Sequence, residues 1–72
     1  MIQNLIKALE EGKVLITFRS LNSGRRIEDL YTLKGVNLPQ NPNNEKLVVL
    51  HCETNTYEDI DKETIEQWIR QV

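Results

Sequence analysis

His51 and Cys52 are the only histidine and the only cysteine in the 72-residue chain, and they are adjacent. Such a pair suggests two chemistries: an imidazole base activating a thiolate, or two ligands of a metal. The surrounding sequence, K-L-V-V-L-H-C over Lys46–Cys52, decides against both. Four consecutive apolar residues, two of them β-branched, read as a strand, and successive strand residues face opposite sides. Side chains turned to opposite faces cannot share a proton or a metal. A zinc site would in any case require about four suitably spaced ligands. Cys52 therefore reads as a small buried hydrophobe and His51 as a strand-edge or interface residue. No catalytic residue, metal or cofactor is assigned.

A second group is acidic: Glu58, Asp59, Asp61, Glu63 and Glu66. Paired carboxylates do acid–base chemistry only where a cleft shifts their pKa, and no cleft is expected here. The alternatives are a helix cap plus a solvated face, or an acidic patch that engages a basic partner surface or imitates DNA phosphates. A third group is basic: Arg19, Arg25, Arg26 and Lys34, gathered around a turn. With Tyr31 nearby they could contact phosphates or carboxylates, as nucleic-acid-binding barrels do. The plainer reading is solvated edge charges that discourage strand pairing, and a protein contact is the third. Val36 and Leu38 are apolar residues in a polar loop, either a lid folded back or an exposed anchor for a partner. Trp68 and Ile69 read as core or as a docking surface.

These groups have to be positioned by the elements around them. Ile2, Leu5, Ile6 and Leu9 recur at i, i+3, i+4 and i+7, which predicts a helix over residues 1–11, with Gly12 as a left-handed cap. Val14–Leu21 alternates as a strand, Asn22-Ser23-Gly24 turns, and Arg25–Leu33 returns, with a bulge expected near Glu28-Asp29 to explain Leu30 falling out of phase. Residues 35–45 hold both prolines and read as a loop. The strand at 46–52 is apolar on both faces, so each face needs a cover. Thr54-Asn55-Thr56 turns into a fourth strand, Tyr57–Ile60. Asp61 then caps a closing helix whose stripe is Ile65, Trp68, Ile69 and Val72.

Length and composition set the bounds. Seventy-two residues make a single domain, 1–72, near the lower limit for folding without metals or disulfides. A hydrophobic content of 39% is too high for disorder. The net charge of −2 gives no bulk attraction to nucleic acid or anionic membranes. The first 36 residues carry six basic against four acidic groups, and the last 36 carry three against seven. No apolar run approaches the roughly 20 residues of a membrane helix. Met1 leads straight into an amphipathic pattern, so no signal peptide is expected. One cysteine allows no internal disulfide, which points to a reducing, cytoplasmic setting.

Taken in order, L-I-K-A-L-E-E-G-K-V-L-I-T-F, the hairpin bearing S-G-R-R, the V-V-L-H-C strand and the ending T-Y-E-D-I-D-K-E-T-I-E-Q-W resemble the small SH3-like barrel proteins encoded by bacteriophages. The resemblance spans nearly the whole chain. It implies an accessory factor working in the host cytoplasm rather than an enzyme. The expected fold is α+β: a bent antiparallel sheet of four or five strands, an SH3-like partial barrel, with helices at both ends in the order α-β-β-β-β-α. The expected function is non-enzymatic binding of a host or viral protein through the acidic carboxyl-terminal surface or the loop. Nucleic-acid binding by the basic hairpin is the alternative, and homo-oligomerisation is left open.

Overall fold

The computed structural model describes residues 2–36 and 45–71. Along the chain run α1 (Ile2–Glu11), β1 (Lys13–Arg19), β2 (Arg26–Thr32), β3 (Lys46–His51), β4 (Thr56–Asp61), a 3₁₀ turn (Lys62–Thr64) and β5 (Ile65–Arg70). The domain is α+β. The strands form one antiparallel sheet in the order β4-β3-β2-β1-β5.

The amphipathic amino-terminal segment is helical as its periodicity requires, and Leu5, Ala8 and Leu9 are buried. Its carboxyl end differs from expectation. Gly12 is not among the described residues with positive φ, which are Gly24, Gly35 and Asn55. The last carbonyls of a helix lack intrahelical partners and must find others. Here the β2 end supplies them. The Leu33 N–H donates to the Leu9 carbonyl at 2.9 Å. The Thr32 hydroxyl lies 2.8 Å from the Gly12 carbonyl and 3.3 Å from that of Leu9. With the helix capped by a neighbouring strand, a left-handed glycine is unnecessary. Thr32→Val should therefore cost about 1–2 kcal/mol, a lost hydrogen bond plus a stranded carbonyl, read from urea unfolding.

Residues paired across an antiparallel ladder share a face. One face of the sheet carries Val14, Ile16 and Phe18 of β1, Tyr31 of β2, Leu47 and Val49 of β3 and Ile60 of β4, all buried. With Leu5, Ala8, Leu9 and Leu33 they make the core. The other face presents Leu15 paired with both Leu30 and Ile69, and Leu50 paired with Tyr57. Leu30 is out of phase with Ile27 and Tyr31, as the sequence suggested, but no bulge is the cause. Leu30 faces outward in an unbroken β1–β2 register, and the bulge expected near Glu28-Asp29 is absent.

The closing helix is the main correction. Asp61 does cap, since its carboxylate accepts from the Glu63 N–H at 3.2 Å, but the turn it starts is a single 3₁₀ turn. Residues 65–70 then pair with β1 as β5. The register shifts between Thr17 and Phe18, so that Ile16 meets Trp68 while Phe18 meets Ile65. Glu66 is the extra residue. A bulge of this kind places two residues three apart on the same face of a strand. Ile65 and Trp68 consequently both pack on the core, at helical spacing, without a helix. The i+4 member of the stripe, Ile69, falls on the outer face and is 52% exposed. The second apolar face of β3 therefore has no helical cover from residues 62–71, and Val48 and Leu50 stay half-buried.

Candidate functional site

His51 is neither at an edge nor at a surface. Its Nδ1 accepts from the Thr54 N–H at 3.3 Å, and its Nε2 lies 3.2 Å from an Asp29 carboxylate oxygen. The ring stands edge-on to Tyr31, centroids 5.0 Å apart, with 6% of the residue exposed. Both nitrogens are used to fix the β3–β4 turn and tie β3 to β2. That role is architectural. Cys52 opens this turn and is half-buried. Burial pushes its thiol up, with Lys13 opposing weakly, so it is a poor nucleophile.

Most of the remaining sequence candidates meet at one place. The 20–25 turn after β1 lies against the corner formed by the end of β4, the 3₁₀ turn and the start of β5. One shallow groove there is lined by Phe18, Leu21, Lys46, Ile60 and Asp61, and a second by Arg19, Leu21, Gly24, Glu63, Ile65 and Glu66. Leu21 stands between them, 69% exposed, held on a turn closed by the Ser20–Arg25 and Gly24–Ser20 backbone bonds. Gly24 takes φ +72°, a conformation that suits glycine and few other residues.

Arg19 and Arg26 are cross-strand partners, and both reach Glu66, at 3.8 and 3.1 Å. Two residues expected to bind phosphate and one expected in an acidic patch therefore form a single ion-pair cluster. Arg19 also donates to the Gly24 carbonyl at 2.8 Å. Lys46 lies 3.7 Å from Asp61, whose other oxygen caps the 3₁₀ turn, so Asp61 is largely committed to structure. Asp59 and Glu63 are exposed. Glu58 pairs with Val49, which puts it on the core face of β4, half-buried.

Other candidates fall elsewhere. Arg25 lies within the turn. Lys34 follows the far end of β2, near the end of α1, and does not join the arginines. Tyr31 pairs with Val14 at that same far end and is buried, so it offers no stacking surface beside them. Val36 is half-buried against the core, its N–H donating to the Leu33 carbonyl at 3.1 Å, and is not an exposed anchor. Leu38 lies outside the described residues. Leu21 was missed in the sequence. Its signal there is an apolar residue directly before a polar turn triplet, a place where burial is hard to arrange.

Among the described residues, no helix is long and apolar enough to cross a membrane. Scans against protein-family models, curated proteins and solved structures find no match for this chain.

Proposed function

We propose that this chain is a non-enzymatic protein-binding domain whose contact surface is the corner around Leu21, rimmed by Arg19, Arg26, Asp59, Glu63 and Glu66. The observation that carries this is an exposed leucine on a constrained turn, ringed by charges of both signs. An apolar centre with a polar rim is the usual anatomy of a protein interface, with arginine enriched. A nucleic-acid surface calls for cations free to meet phosphates and for stacking aromatics. Here two of the arginines share a carboxylate, and Tyr31 is buried at the far end of β2. The strand order, with the last strand returning beside the first after a 3₁₀ turn, supports reading the fold as an SH3-like partial barrel. With the sequence resemblance, this favours a phage accessory factor that modulates a host or viral protein in the cytoplasm.

Crosslinking capture with the tagged chain tests the reading. A specific protein should be recovered with wild type and fall about tenfold with Leu21→Asp, the loss expected when a central anchor worth at least 1.4 kcal/mol is removed. Equal recovery with the two forms would refute the assignment of this corner. Salt-dependent retardation of RNA or DNA by wild type would replace it with the nucleic-acid reading.

A further inference from the structure

The sheet has two edges, β4 and β5, and they are built differently. An edge strand presents unpaired backbone donors and acceptors, and proteins usually guard it. β5 is guarded twice. It carries the bulge at Glu66, and its charges are engaged, Glu66 by Arg19 and Arg26 and Arg70 by Glu11. β4 is regular. It pairs with β3 over all six residues without a register shift, which leaves its other side straight and, among the described residues, without a strand partner.

The side chains of β4 also differ from those of β5. Tyr57 is 61% exposed. Glu58 and Asp59 have no ion-pair partner among the described residues, and Glu63 continues the negative charge just beyond. A second β4 would set carboxylates against carboxylates. β5 offers one base against one acid, so it is no electrostatic match either. The complement is a basic extended segment from a different protein.

We propose that β4 takes up such a segment as an added strand: main-chain hydrogen bonds along Thr56–Asp61, lysine or arginine side chains on the outer face beside Tyr57 and Asp59, and aliphatic side chains on the inner face beside Ile60. This is a known mode of peptide recognition, in which the backbone supplies affinity and alternate side chains supply specificity. The inference rests on the protein-binding reading and specifies one contact within it. Asp59 and Glu63 belong to both surfaces.

The probe is a nine-residue peptide alternating lysine and valine, with a glutamate–valine control and a lysine–valine version N-methylated at alternate residues. Binding to the full chain is followed by amide NMR at low salt. The lysine peptide should shift and protect amides within Thr56–Asp61. Asp59→Lys should weaken it about tenfold and Asp59→Asn by less, since reversal both removes an attraction and adds a repulsion. The N-methylated peptide should not bind. Equal binding of the N-methylated peptide would reduce the effect to surface charge and overturn the proposal. So would shifts centred on β5, no binding at all, or concentration-dependent self-association seen by sedimentation and abolished by Asp59→Lys. Ile69→Ala, on the opposite edge of the sheet, should leave peptide binding intact. A failed peptide with Leu21-dependent capture retained rejects the edge alone.

Discussion

Leu9→Ala should remove about 2–5 kcal/mol of stability, the usual cost of emptying a fully buried leucine site. A domain of this size has roughly 4–11 kcal/mol in total, so the variant should lose a large share of its stability. The reason is specific to this architecture. α1 lies over β1 and β2, and Leu9 is fully buried where the helix meets them. Its carbonyl is also the acceptor that fastens α1 to Leu33. Urea unfolding followed by far-ultraviolet circular dichroism measures the loss as a fall in midpoint of at least about 1 M. Ile69→Ala is the internal contrast. As a strand residue on the outer face it should cost under about 0.5 kcal/mol. Were residues 61–72 a helix with Ile69 on its apolar stripe, the two losses would be similar, so the pair of variants also discriminates strand from helix.

Tyr31→Ala should be at least as costly, about 3–5 kcal/mol, because a buried aromatic leaves the larger void. Tyr31 is 1% exposed and connects the two ends of the core. Its ring lies 6.2 Å from Phe18 and 5.0 Å from His51, and its strand neighbours are Val14 and His51. Tyr31→Phe keeps the ring and should stay within about 1 kcal/mol, which separates packing from the hydroxyl. The phenol gives a second readout. Burial first, then the Glu58 and Asp29 carboxylates, raise its ionisation well above the ordinary value. A folded state that disfavours the phenolate contributes stability that is fully present below about pH 10 and is lost as pH rises towards the folded-state value. Alkaline absorbance titration should show a late-ionising tyrosine that disappears in Tyr31→Phe. If instead every tyrosine ionises at the ordinary value in the folded protein, the burial of Tyr31 is wrong.

The site was legible residue by residue but not as a place. Arg19, Arg26, Asp61, Glu63 and Glu66 could be picked out as charged residues near a turn and a cap. Nothing in their spacing said that Glu66 would lie between the two arginines, because that contact needs β5 beside β1. His51 shows the opposite error. Its place at the end of an apolar strand suggested an exposed residue, and only the arrival of Asp29 and the Thr54 amide made burial affordable.

By itself the sequence determined the amino-terminal helix with its apolar stripe, four strands and their turns, and the apolar face of β1. These follow from periods of 3.6 and 2 and from glycine and asparagine at positive φ, all of which are local. Tertiary structure alone decided residues 62–70. Their i, i+3 spacing fits one face of a helix, and equally one face of a bulged strand. A short helix there would have left β1 with an unpaired edge, whereas β5 satisfies that edge and still delivers Ile65 and Trp68 to the core. Hydrogen bonds to a strand fifty residues earlier outweighed a local preference worth a few tenths of a kcal/mol per residue.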